Sequence, residues 1–140
     1  MALLIQEIIP GTVAVLETLP LLSNPEVERS PDDIPFRSGP FLCIQAKNGS
    51  STWLNITTKN DKRGLRLELI PEWLLDGSET WRQGPQFVHD ARKTFVGPNA
   101  AFIAAGANEL PFTLHKRPRV SDMGVTAALN EAKKYKARIL

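Results

Sequence analysis

The stretch of residues 39–58, GPFLCIQAKNGSSTWLNITT, contains the clearest structural pattern in the chain. Residues 41–46 form a short apolar run, and residues 52–58 form a second run rich in β-formers. Between them lies a polar turn with Asn48-Gly49, a pair that favours the tight turn of a β-hairpin. The stretch therefore predicts two antiparallel strands, around which the rest of the chain would pack.

Strand-like segments also occur on both sides of this hairpin. Residues 12–16 are rich in β-branched side chains, and residues 65–70 alternate between apolar and charged. Residues 86–89, 94–96 and 100–105 are further short strand candidates. The segment 17–38 contains four prolines and no sustained period, which predicts a long loop.

The C-terminal part of the chain, residues 121–140, is typical of an amphipathic helix. Its apolar residues follow the 3, 4, 7 spacing of one helix face, and they are Val125, Ala128, Leu129, Ala132, Tyr135 and Ile139. With 140 residues the chain has the size of a single domain. We therefore predict a mainly β domain, a partly open barrel over about residues 10–115, followed by a C-terminal α-helix at about 121–140.

Composition limits the function classes. No apolar run approaches the roughly 20 residues that a membrane span needs, and the N-terminus lacks the pattern of a signal peptide. The one cysteine, Cys43, lies in the apolar run, where a buried thiol is expected. These features predict a cytoplasmic protein. Trp53 and Trp73 lie near predicted strand ends, where they would bury either in the core or at a homodimer interface.

The basic residues are unevenly distributed. Residues 113–140 carry seven of the 17 Lys and Arg side chains but only two of the 15 Asp and Glu. This basic C-terminal part either binds nucleic acid or an acidic partner, or is a solvated helix face whose charge suits the helix dipole. The first reading makes Lys116, Arg117 and Arg119 candidate RNA contacts.

Motifs for common cofactors are absent from the sequence. His89 and His115 lie far apart with no Cys or carboxylate at ligand spacing, so we expect no metal site. The glycines form no phosphate-binding or dinucleotide-binding pattern, and no serine lies in a nucleophile elbow. We therefore expect no cofactor.

Polar residues next to predicted strands form the remaining candidate site. Cleavage of an RNA phosphodiester without a metal needs a group that removes the 2′-hydroxyl proton and one that protonates the leaving oxygen. It also needs a donor or cation that stabilises the charged phosphorane. Alternatively, these residues simply decorate turns and strand ends. The candidates are Arg37, Thr57, Thr58, Lys59, His89, Asp90 and Arg92.

The order of segments resembles the MazF/PemK family of toxin–antitoxin ribonucleases. The residues that carry this resemblance are Gly11-Thr12-Val13, then PFLCI at 40–44, then NITTK at 55–59. FVHDAR at 87–92 and the C-terminal helix complete it. The resemblance implies an SH3-like barrel, a fold that the topoisomerase poison CcdB shares. It also implies a homodimer that cleaves single-stranded RNA without a metal and is silenced by an antitoxin protein.

The resemblance also assigns roles to residues. Thr57 matches the threonine or serine beside the scissile phosphate, and Arg92 matches the arginine of the family's Asp-Gln-x-Arg. The family's catalytic arginine falls at Gly39, which leaves Arg37 as the nearby substitute. The family's aspartate falls at His89, with Asp90 next to it. The alternative is a non-enzymatic SH3-like binding module for a protein or nucleic acid, or a degenerate toxin-like or mobile-element factor.

Overall fold

The computed structural model of the protein describes residues 2–30, 37–60, 66–110 and 115–140. The α-helices are α1 (Thr18–Leu22), α2 (Glu79–Gln83), α3 (Asn99–Ala105) and α4 (Asp122–Lys134), and short 3-10 helices span Ile5–Glu7 and Pro71–Trp73. The strands are β1 (Val13–Leu16), β2 (Glu28–Ser30), β3 (Gly39–Lys47), β4 (Ser50–Thr57), β5 (Leu67–Glu68), β6 (Leu74–Leu75), β7 (Phe87–Val88), β8 (Thr94–Pro98) and β9 (Arg119–Val120).

The predicted hairpin is confirmed, since β3 and β4 pair antiparallel on either side of Asn48-Gly49. Asn48 has a φ of 53° and Gly49 a φ of 80°. Left-handed φ angles at both turn positions are the requirement of the type I′ turn, whose twist matches that of the two strands. Local turn chemistry therefore fixes the register of the longest strand pair in the sheet.

β4 is the centre of a seven-stranded sheet that does not close. One edge of β4 pairs with β3, and β1 pairs with the far edge of β3. The other edge of β4 is shared by β8 and β7, onto which β2 and β5 pair. Strands β6 and β9 form a separate small sheet. The predicted fold class, mainly β with a C-terminal helix and the form of a partly open barrel, is confirmed.

Both faces of the central hairpin are buried, which explains why its sequence is an apolar run rather than a strict alternation. Phe41, Cys43 and Trp53 face one core together with residues of α1 and α3. Leu42 and Leu54 face a second core together with residues of α4. Of the two alternatives for Trp53, core or homodimer interface, the structure shows the core, because the side chain is fully buried within its own chain.

Two local predictions are wrong, because each of the two segments contains a short helix. Residues 100–105, predicted as a strand, belong to α3, which buries Ala101, Phe102 and Ala105 against the core. A short apolar run does not distinguish a strand from a buried helix. The predicted loop 17–38 contains α1 and β2, while residues 31–36 of that loop lie outside the described residues.

The C-terminal helix begins where predicted but ends at Lys134 rather than at residue 140. Lys136 adopts a left-handed φ of 55° and the Ala137 N–H donates to the Ala132 carbonyl at 2.9 Å, which closes the helix. The following residues lie on the sheet instead. There Thr94 Oγ1 donates to the Arg138 carbonyl at 2.6 Å, so a tertiary contact replaces the last predicted helical turn.

Candidate functional site

Residues 89–93 leave the sheet between β7 and β8, and we call this segment the arch. Val88 pairs with Ile56 of β4, and Thr94 pairs with Leu54 of the same strand. The five residues of the arch therefore lie opposite a single residue of β4, Asn55. Extra residues in one strand of a pair bend that strand and re-aim its side chains, and such bulges occur preferentially next to active sites.

The arch is tied to the hairpin through Asn55, which is buried. The His89 N–H donates to the Asn55 carbonyl at 2.8 Å. The side-chain Nδ2 of Asn55 donates to the Pro40 carbonyl on β3 at 3.0 Å. Within the arch, the Lys93 N–H donates to the Asp90 carbonyl at 3.0 Å and closes a turn. The base of the arch is thus held by backbone hydrogen bonds of the central hairpin.

Asp90 is 2% exposed and is fully engaged with Arg92. Arg92 donates to its carboxylate from Nη2 at 2.9 Å, from Nε at 3.1 Å and from the backbone N–H at 2.9 Å. Burial by itself would raise the pKa of Asp90, but the hydrogen bonds and charge of Arg92 lower it below its ordinary value. Asp90 is therefore ionised at neutral pH and orients Arg92.

His89 is half-buried, and its Nδ1 is buried without a hydrogen-bond partner among the described residues. Burial lowers the pKa of His89, and the positive charges of Lys93, Arg66 and Arg37 lower it further against the opposing charge of Asp90. The imidazole is consequently neutral at pH 7 and is able to accept a proton.

Positive charge collects around this histidine, and we call Arg37, Arg66, Arg92 and Lys93 the cation cluster. Arg37 is exposed, and its charge acts on both His89 and Lys93. Lys93 is only 3% exposed, and its pKa is lowered by burial and by the neighbouring arginines, against the opposing charge of Asp90. Several basic side chains close to one another are a common feature of sites that bind anions such as phosphate.

The end of β4 lies beside the arch because β7 pairs with it. Thr57 stands opposite Phe87, and its Oγ1 accepts a hydrogen bond from the Lys59 N–H at 3.2 Å. Accepting this bond leaves the hydroxyl proton of Thr57 available for donation. Thr58 and Lys59 follow and are exposed. The strand pairing therefore sets Thr57 two residues from the arch, Arg66 links the Lys59 carbonyl to that of His89, and Asp90 pairs with Arg92 inside the arch. Arg37 acts on His89 through its charge.

The other candidate RNA contacts, Lys116, Arg117 and Arg119, lie elsewhere. They belong to a segment that runs beyond β1, where the Val13 N–H donates to the Pro118 carbonyl at 3.1 Å. β1 is separated from the arch by β3 and β4. Lys116 is exposed and Arg119 is half-buried on β9. The structure does not bring these three residues to the arch.

Arg117 is engaged in a buried group of charges that we call the edge triad, formed by Glu7, Arg117 and Glu109. Arg117 Nε lies 2.8 Å from Glu7 Oε2, and Nη1 lies 2.5 Å from Glu109 Oε1. The Glu109 side chain is 1% exposed and also accepts from the Val15 N–H. Arg117 thus links the N-terminal 3-10 helix, the outer edge of β1 and residue 109.

Sequence reasoning missed Arg66, Lys93 and Asn55 as parts of the site. Arg66 lies in an alternating apolar and charged run, which predicts a solvent-facing side chain. Instead, its Nε donates to the Lys59 carbonyl at 3.3 Å and its Nη1 donates to the His89 carbonyl. One signal was present, since residues 90–93 are a polar interruption between two strand-like runs, the pattern that a bulged strand produces.

Comparisons with family models, with curated proteins and with solved structures found no match for this chain. Among the described residues, no His, Cys, Asp and Glu side chains group in threes as a metal ion would require. In the same part of the chain, the helices are all too short or too polar to cross a bilayer. The arch itself is therefore the feature from which a function can be inferred.

Proposed function

We propose that this protein is a metal-independent endoribonuclease that cleaves single-stranded RNA, as the MazF/PemK family does. The main support is a neutral His89 surrounded by the cation cluster, next to Thr57 at the end of β4. Such an arrangement combines an imidazole that is neutral at pH 7 with groups that bind a phosphate, namely Arg37, Arg92 and Thr57. It matches the requirements of phosphodiester cleavage by the neighbouring 2′-hydroxyl.

In the proposed reaction, His89 removes the proton of the 2′-hydroxyl. The 2′-oxygen then forms a bond to phosphorus while the bond from phosphorus to the 5′-oxygen breaks. The products are a 2′,3′-cyclic phosphate and a 5′-hydroxyl, whose proton comes from the protonated His89 or from water. Arg37 and Arg92 neutralise the phosphate and Thr57 donates a hydrogen bond to it, while Asp90 orients Arg92.

Arg37 takes the role that the MazF/PemK family gives to an arginine at the position of Gly39. Its support is electrostatic, since the charge of Arg37 lowers the pKa of His89. The family resemblance further suggests a cytoplasmic homodimer that an antitoxin protein keeps inactive. The mass of the purified protein in light scattering at micromolar concentration tests the dimer, and a monomer contradicts it.

A second candidate function, a non-enzymatic module that binds RNA or a protein partner, is favoured by one observation. The carboxylate of Asp90 is committed to Arg92, and its lowered pKa makes it a poor proton donor. His89 would then have to serve both as the base and as the acid. A site with positive charge but one proton-transfer group binds phosphate whether or not it cleaves the RNA.

Incubation of a long single-stranded RNA with the protein in EDTA separates the two functions. For the ribonuclease we expect discrete cuts with 2′,3′-cyclic phosphate ends, and none in DNA of the same sequence. His89→Ala and Arg92→Ala should each lower the rate by about 100-fold or more, which is typical for a general base or a charge-stabilising group.

Two matched variants control for general damage. His115→Ala removes the other, exposed histidine, and Arg82→Ala removes an arginine of α2 that is bonded to local carbonyls. Both should cleave like the wild type. RNA that stays intact over a wide range of protein concentration contradicts the ribonuclease. Retarded but uncut RNA in a gel-shift assay then supports the binding module.

A further inference from the structure

We propose that Arg66 is the positioning residue of the arch: it holds the His89 carbonyl against the end of β4 and thereby fixes the imidazole. Its role in catalysis rests on the function proposed above, whereas its role in holding His89 does not. Arg66 would act through His89 and not by contact with RNA.

The position of Arg66 follows from the strand register. It directly precedes β5, in which Leu67 pairs with Val88 of β7. The next step of this ladder sets Arg66 beside His89. From there the guanidinium donates through Nη1 to the His89 carbonyl and through Nε to the Lys59 carbonyl, at 3.3 Å for the second bond. Arg66 therefore connects the segment after β4 to the first residue of the arch.

Both backbone polar groups of His89 are held in this way. Its N–H donates to Asn55 on β4, and its carbonyl accepts from Arg66. With the peptide groups on both sides fixed, the imidazole emerges from a defined backbone position. The planar guanidinium presents several donors in a rigid fork, so a single arginine bonds two carbonyls at once, and lysine does not reproduce that geometry.

The charge of Arg66 supports the same role. It is one of the positive charges that lower the pKa of His89. A carbonyl clamp made by a neutral side chain would hold the backbone but would leave the imidazole easier to protonate. Arg66 thus affects both the position of His89 and its protonation state. Variants that keep or remove the positive charge of Arg66 distinguish the two effects.

Arg66→Gln removes the charge, and Arg66→Lys keeps it while losing the fork. Arg82→Gln is the matched control, because Arg82 Nη1 also donates to two carbonyls, those of Asp76 at 3.2 Å and Gly77 at 2.7 Å, away from the arch. For each variant, NMR gives the titration of the His89 ring and the exchange rate of the His89 amide. Steady-state cleavage gives kcat and KM.

For Arg66→Gln we expect a higher pKa of His89 and exchange of its amide that is faster by about tenfold, since bonds to charged groups contribute about 1.5 kcal/mol or more. The kcat should fall by about 100-fold with little change in KM, as expected for a small misplacement of a catalytic group. Arg66→Lys should restore the pKa of His89 but not the slow exchange. Arg82→Gln should change neither.

Two results overturn the inference. One is that Arg66→Gln leaves the titration and the amide exchange of His89 as they are in the wild type. The other is that its main effect is weaker RNA binding with a smaller salt dependence, by about 0.7 in the logarithmic slope, which marks a lost phosphate contact. If the wild type cuts no RNA, the ribonuclease proposal fails, and the NMR measurements still decide whether Arg66 holds His89.

Discussion

The arch and the edge triad both bury charged side chains, but the signs of the charges differ. The edge triad has two carboxylates and one guanidinium, whereas most of the charged side chains that act on His89 are basic. In the edge triad, two carboxylates share the guanidinium of Arg117, and every one of these charges has a partner within hydrogen-bond distance. At the arch, within the described part of the chain, the positive charges of Lys93, Arg66 and Arg37 lower the pKa of His89. The negative charge of Asp90 opposes them. The first region pairs one guanidinium with two carboxylates, and the second places several basic side chains around one half-buried histidine.

This difference separates a structural use of charge from the functional use that we propose for the arch. Compensated buried charges connect distant segments and are costly to remove singly. Like charges gathered around one group repel each other, and an anion bound among them relieves that repulsion. The basic side chains of the arch are thus the basis of the proposed phosphate site, whereas Arg117, selected from the sequence as an RNA contact, connects the 3-10 helix Ile5–Glu7 to β1 and to Glu109.

Substitution of Arg117 should have the largest effect on stability. Arg117→Met leaves the buried Glu109 carboxylate without its partner, which should lower the free energy of unfolding by about 3–5 kcal/mol. Lys116→Met, at the exposed neighbouring position, should stay within about 0.5 kcal/mol of the wild type. Urea unfolding measures both. A loss below about 1 kcal/mol for Arg117→Met would mean that the triad is not the structural connection described above.

The same substitution at the arch should have the opposite sign. Burial and neighbouring positive charges lower the pKa of Lys93, so the unfolded chain binds its proton more readily and the charge destabilises the fold at neutral pH. Lys93→Met should therefore raise the free energy of unfolding, by about 1 kcal/mol. It should also remove a rise in stability that the wild type shows as the pH approaches the ordinary pKa of lysine. Destabilisation by Lys93→Met would contradict the statement that the charge of Lys93 destabilises the folded protein.

The smallest effect concerns His89 and pH. Its pKa is lowered in the folded protein, so between that pKa and the ordinary value of 6.5 the unfolded state binds more protons. Stability is thus lost as the pH falls through 6.5 toward the folded pKa. His89→Gln should remove this loss, a difference of about 0.5 kcal/mol, while His115→Gln should keep it. Urea unfolding at pH 7.5 and pH 5.5 tests both variants.

Much of the framework could be predicted because its signals are local. Asn48-Gly49 identifies the hairpin turn, and the spacing of Val125, Ala128 and Ala132 identifies the buried face of α4. Residues 100–105 were misassigned, because burial in a core makes a short helix as apolar as a strand. The polar run at residues 90–93 between two strand-like runs is visible in the sequence, and in the structure it leaves the sheet between β7 and β8.

The hairpin of β3 and β4, the C-terminal helix and the polar character of residues 90–93 follow from the sequence alone. Which charges meet becomes visible only in the folded chain. Arg117 finds Glu7, Arg66 finds the His89 carbonyl, and the chain after Lys134 leaves the helix for Thr94. These two kinds of interaction differ in how far along the chain they act. Periodicity and turn preference act between neighbours in the chain, whereas charge pairing depends on distances that exist only after the sheet has formed.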